Sequence, residues 1–271
     1  MAYFLTLHPV LQALLGGLFT WLCTALGSSL VFFFKEVNER LLAIMQGFAA
    51  GVMIAASFWS LLAPALDYAE LSESALPNWF PVGVGFLAGG VFLRLLDLVI
   101  PHIHLAEDHG DTNVKKTNLS RTTMLYLAVT IHNIPEGLAI GVAFAAASMS
   151  LNGATLASAI ALTIGIGIQN IPEGSALAMP IRAEGKSQRR AFNLGHSSAL
   201  VEPIAAVIGA AALLAISQLL PFALSFAAGA MIFVVVEELI PEAQSSNHTD
   251  EATLSLMVGF VVMMILDVAL G

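Results

Sequence analysis

Along the chain, apolar runs of about 20 residues alternate with short polar stretches, and each run is long enough to cross a bilayer as a helix. Eight such segments are predicted, at about 8–34, 41–65, 81–100, 122–147, 154–181, 191–216, 221–240 and 252–270. The fold class expected is an all-α polytopic membrane protein, a single transmembrane domain over 1–271 with a polar loop at 101–121.

Two polar interruptions of these runs are nearly the same word. Segment four carries His132-Asn133-Ile134-Pro135-Glu136-Gly137 and segment five carries Gln169-Asn170-Ile171-Pro172-Glu173-Gly174. Residues three and four apart share one face of a helix. His132, Asn133 and Glu136 therefore face one way, as do Gln169, Asn170 and Glu173. Pro135 cannot donate to the carbonyl of Ile131, and Pro172 cannot donate to that of Ile168. Each word is thus expected to kink its helix beside its own polar cluster. In hydrocarbon such a gap survives only where it faces protein or a water-filled cavity.

Composition agrees with a membrane setting: 58% of residues are apolar and 11% charged, with a mean hydropathy of +0.85. The net charge of -9 belongs to loops and buried carboxylates and gives no basic surface for nucleic acid. The single cysteine, Cys23, excludes an internal disulfide and a cysteine-built metal site. The start has no basic stretch, so no cleavable signal peptide is expected.

Charge sets the expected orientation. Nine of the ten Lys and Arg residues fall in the loops after segments one, three and five, and the tenth, Arg94, lies inside segment three. Basic loops stay cytoplasmic, so both termini are expected outside. The loop after segment seven holds Glu242, Asp250 and Glu251 and no base.

An internal repeat is also present. Phe48-Ala49-Ala50-Gly51-Val52-Met53 in segment two recurs as Phe226-Ala227-Ala228-Gly229-Ala230-Met231 in segment seven, and a proline follows each, Pro64 or Pro241. The two segments run in opposite directions, so the units are inverted, as in many secondary transporters. The small residues also suit close helix packing.

Ionisable groups at membrane depth mark functional sites by default. Here they are Arg94, Asp97, His132, Glu136, Glu173, His196, Glu202, Glu237, Glu238 and Asp267. Arg94 and Asp97, three apart, are expected to neutralise one another, and Asp267 is assigned no role. The donors of the two words are nitrogen and oxygen, which suit zinc, iron, manganese, cobalt or cadmium; a cage for Mg²⁺ or Ca²⁺ has little use for imidazole. Glu202-Pro203 in segment six adds a carboxylate beside a helix-disrupting proline. His196 fits a ligand or a packed histidine equally. His102, His104 and His109, among Glu107, Asp108 and Asp111, form either a transient metal-binding loop or a solvated linker.

Together, HNIPEG and QNIPEG on consecutive segments, FAAGVM, the EP pair and EELIPE resemble the ZIP (Zrt/Irt-like protein) family of divalent metal transporters, in its short prokaryotic GufA-type branch. The resemblance implies eight helices in a 3+2+3 arrangement with inverted repeats. It implies one metal site from Met53, His132, Glu136, Gln169 and Glu173, and an adjoining one from Asn133, Glu136, Asn170, Glu173 and Glu202. It further implies an entrance at Ser60 and Asp67 and an exit at Asp97, His102, His104 and Glu238. Some relatives have Asp at the position of Asn170 and His at that of Glu237. The function expected is carriage of divalent transition metal, zinc foremost, into the cytoplasm across a prokaryotic cell membrane, by a homodimer with no resident cofactor and no enzymatic activity. The alternative is an intramembrane metal-dependent hydrolase, but the chain has no H-E-x-x-H word.

Overall fold

Polar caps set several of the helix starts. The Asn38 side chain accepts from the Leu41 amide, Ser187 caps the helix from Gln188, and Thr155 with Ser158 closes a reciprocal capping box. The computed structural model describes residues 4, 6–34, 38–71, 76–99, 121–149, 155–245 and 247–270, and no strand occurs among them.

Segment one is Pro9–Ser28 with a 3-10 turn at Ser29–Phe32; segment three is Trp79–Val99, four is Arg121–Ser148, five is Leu156–Ala183 and eight is Thr249–Leu270. Seven helices among the described residues are long and apolar enough to cross a membrane. Leu156–Ala183 has the length, at 28 residues, and is less apolar because Gln169, Asn170 and Glu173 sit in its middle. It packs among segments one, two, four and eight.

Prolines shape the remaining three segments. Segment six is broken into Gln188–Ser198 and Val201–Ala215, just ahead of Pro203, whose ring nitrogen has no hydrogen for the Ala199 carbonyl. Segment two runs Glu39–Ala56, then a π-helical stretch Ser57–Leu62, then Ala63–Leu71; segment seven runs Leu220–Val234, a π-helical stretch Val235–Leu239, then Ile240–Ala243. Each π-helical stretch starts nine residues after the phenylalanine of its FAAG word and ends two before a proline. Pro64 and Pro241 leave the carbonyls of Ser60 and Glu237 without their usual donors, and the wider turn accommodates that loss. Pro135 and Pro172, by contrast, lie within helices that continue past them.

Asp67 and Glu70, expected in a loop, lie on the helix Ala63–Leu71 instead. Ala65 and Ala69 still bury one face there, so the helix continues past the apolar run.

The repeat governs packing. The most extensive contacts join segments two and eight, three and seven, four and six, and one and five. Exchanging two for seven, eight for three, one for six and four for five maps these pairs onto each other. Segments one, four, five and six form one group, and two, three, seven and eight form the other. Glycines bring the paired backbones together. A Cβ on Gly51 would lie 1.9 Å from the Leu256 carbonyl oxygen, and one on Gly229 would lie 1.9 Å from that of Phe86. The glycines ending the two words behave alike: Gly137 abuts the Glu202 carbonyl and Gly174 that of Thr24.

Gly51→Ala and Gly229→Ala should each lower the melting temperature in detergent, since overpacking of this kind costs about 1–3 kcal/mol. Gly83→Ala, where an added Cβ meets nothing within 4 Å, should leave the melting temperature unchanged or raise it. Equal effects at all three positions would contradict the packing account.

Candidate metal centre

The two words meet where segments four and five cross the middle of the helix assembly. His132, Glu136 and Glu173 offer ligand atoms that lie within 4.8 Å of one another, and all three are buried. Gln169 Nε2 donates to Glu136 Oε1 at 2.6 Å. Asn133, Gln169, Asn170 and Glu202 are buried as well. The helical face predicted for each word is thus real, and the two faces converge.

Glu202 comes from the first turn after the break in segment six. Asn170 Nδ2 donates to both of its oxygens at 2.9 Å and to the Thr20 carbonyl at 3.3 Å. A neutral amide therefore occupies the side of Glu202 where a carboxylate would need a cation between the two groups.

Buried polar atoms normally find partners. Here His132 Nε2, both side-chain atoms of Asn133, Glu136 Oε2, Gln169 Oε1, Asn170 Oδ1 and Glu173 Oε1 have none. Most of these are acceptors or lone pairs. The electrostatic neighbours of the three glutamates are one another, His132, Glu238 and Glu242, with no Lys or Arg among them. Like charges this close in a low dielectric require a cation or a proton, and imidazole with carboxylates and amides is a donor set for a divalent transition ion.

The remaining predicted residues are distributed around this cluster. Met53 is fully buried in segment two. Ser60 is buried and donates to Asp267 at 2.5 Å, a pairing that sequence position could not reveal across 207 residues. Asp67 is exposed two turns beyond Ser60. Glu238 lies 3.0 Å from His132 Nδ1. His102 and His104, together with the side chain of Asp97, lie outside the described residues, as does the expected Arg94–Asp97 pairing. The His196 ring lies tilted against Phe192 at 4.8 Å and edge-on to Trp21 at 6.0 Å, so it has aromatic neighbours on two sides.

An all-α polytopic architecture with a buried imidazole–carboxylate cluster defines the class: an integral membrane protein whose helix assembly encloses a group of side chains that could hold a metal ion. The ZIP Zinc transporter family model matches residues 101–267. The chain is 42% identical to "Zinc transporter ZIP11" of Homo sapiens over 97% of its own length and 98% of that protein's. It is 40% identical to "Zinc transporter ZIPB" of Bordetella bronchiseptica, covering 96% of this chain and 81% of that one. It is 37% identical to "Zinc transporter GufA" of Myxococcus xanthus, covering 95% and 98%. The chain belongs to the ZIP zinc transporter family, a family of metal transporters rather than enzymes.

Asn170→Asp should lower the stability of the zinc-free protein by about 1.5–3 kcal/mol, the worth of hydrogen bonds to a charged group, because it replaces the amide facing Glu202 with a second carboxylate. The same variant should gain more thermal stabilisation from added zinc than the parent does. Melting curves with and without zinc check both, and an unchanged zinc-free curve would contradict the assigned contact.

Proposed function

We propose that the chain carries divalent transition metal, zinc foremost, across a prokaryotic cell membrane into the cytoplasm through the cluster between segments four and five. The observation that supports this most is the concentration of buried ligand atoms without hydrogen-bond partners on the two words, around a His132–Glu136–Glu173 group that could hold a metal ion. The relatives named as zinc transporters favour zinc; iron, manganese, cobalt and cadmium suit the same donors.

Met53, His132, Glu136, Gln169 and Glu173 hold the first ion. Asn133, Asn170 and Glu202, with the two shared glutamates, make an adjoining second site that is weaker because Asn170 is neutral and already satisfies Glu202. Ser60 and Asp67 serve the entrance. Glu238 serves the exit together with Asp97, His102 and His104. The basic loops put both termini outside, and the family resemblance makes the working unit a homodimer.

Seven of the eight proposed ligands lie in one helix group. His132, Asn133, Glu136, Gln169, Asn170, Glu173 and Glu202 all belong to segments four, five and six, whereas Met53 and Glu238 belong to the other group. The groups touch mainly where segment five meets two and eight and where four meets seven. Movement of one group against the other would open the cluster to alternate faces of the membrane, with the His132–Glu238 bond broken and remade across the boundary.

In proteoliposomes the protein should show saturable zinc influx with no chemical product. Glu136→Ala and Glu173→Ala should each reduce it by more than the roughly 10–100-fold typical of groups outside the direct ligand shell. Influx should also fall as external pH falls, because carboxylate and imidazole must be deprotonated to bind metal. A product released from a cleaved substrate, or full influx in either variant, would overturn the proposal in favour of the hydrolase or another site.

A further inference from the structure

Next to the cluster is a cavity of about 30 Å³ whose polar lining is His132, Glu173, Gln46, Glu238 and Glu242. A space of that size holds a water or an ion. His132 and Glu173 belong to the cluster described above; Gln46 and Glu242 have no role in it.

Gln46 is only 2% exposed, and its Nε2 has no hydrogen-bond partner. It stands seven residues before Met53 on the same helix, so the two share a face, with Gln46 about 10 Å nearer the basic-loop end. Glu242 is half-buried on Ile240–Ala243, and its electrostatic neighbours are Gln46, Glu238 and His132. Gln46 is therefore close enough to act on Glu242, yet without the geometry of a hydrogen bond. Rotation of the amide by half a turn exchanges its nitrogen for its oxygen at no cost in hydrogen bonds at that nitrogen. The cavity then has a carbonyl oxygen and two carboxylates around it, from segments two and seven.

The His132 ring joins the two places. Its Nδ1 meets Glu238 at 3.0 Å, and its Nε2 is buried without a partner. One nitrogen is thus on the Glu238 side and the other is free for an ion.

We propose that Gln46, Glu238 and Glu242 form a further binding station for a divalent cation, between the central cluster and the face bearing the basic loops, and that His132 is the ligand through which an ion passes to it. The station rests on the transport function proposed above and adds Gln46 and Glu242 to the pathway. Its donors are oxygen apart from the shared imidazole, so it binds zinc less tightly than the cluster and releases it more readily. The chemistry of the step is ligand exchange alone: the ion changes partners and no covalent bond is made or broken.

Two variants test it, Glu242→Gln and Gln46→Leu, purified at full length beside Glu173→Ala. Equilibrium dialysis against zinc should show each of the first two losing one weakly bound ion per chain while keeping the tightest one. Their maximal influx into liposomes should fall about tenfold, at the low end for residues that support a metal pathway, with half-saturation unchanged. Glu173→Ala should lose the tightest ion. If Glu242→Gln and Gln46→Leu, both monodisperse, bind the full complement of zinc and transport at the parent rate, the station does not exist. If instead Glu173→Ala retains the tightest ion, the central site is what has been misassigned, so the two failures are distinguishable.

Discussion

Two carboxylates, Glu136 and Glu173, face each other inside a helix assembly with no Lys or Arg among their electrostatic neighbours. In a low dielectric that arrangement is strongly unfavourable unless positive charge is supplied. Much of the structure can be understood from that requirement. His132 stands within 4.8 Å of both, Gln169 gives Glu136 a hydrogen bond, and the polar atoms left over are acceptors, a ring nitrogen and the Asn133 amide nitrogen rather than cationic donors. A buried Lys or Arg would have satisfied the carboxylates permanently. Amides and one imidazole leave them available to an ion that comes and goes.

Holding such a cluster open inside a membrane demands rigid surroundings, and lipid supplies no hydrophobic drive between helices. Close backbone contact takes that part. Gly51 and Gly229 in the repeated word, and Gly137 and Gly174 at the ends of the two polar words, all sit against a carbonyl of a paired helix. The same inverted repeat that pairs segments two with eight and seven with three also relates the two polar words. The cluster therefore lies where the repeat relation brings segments four and five together, flanked by their partners one and six.

Much of this was legible along the chain because membrane helices carry polar residues so rarely. The two words, the eight segments, the inverted FAAG units and the proline break at Glu202 all declared themselves as departures from an apolar background. What escaped was set by tertiary contact or by local backbone response. The partnership of Asp267 with Ser60 joins distant segments, and Asp267 alone carried no signal. The prolines at 64 and 241 were visible, but the π-helical turns ahead of them are one of several ways a helix can absorb a missing donor. Asp67 lies past the end of the apolar run, while the buried Ala65 and Ala69 keep it helical. Gln46 carries no signal in the sequence, and only its burial beside Glu242 marks it out. His132 was recognised from the face it shares with Glu136, but its second neighbour, Glu238, is 106 residues away.

The central claim is that a divalent cation lies between Glu136 and Glu173. Crystals soaked in limiting cadmium and measured for anomalous scattering test it most directly. The account predicts one dominant peak within bonding distance of both carboxylates and of His132, and a weaker one toward Asn170 and Glu202. A dominant peak away from both glutamates, or equal occupancy of the two positions at limiting metal, would contradict it.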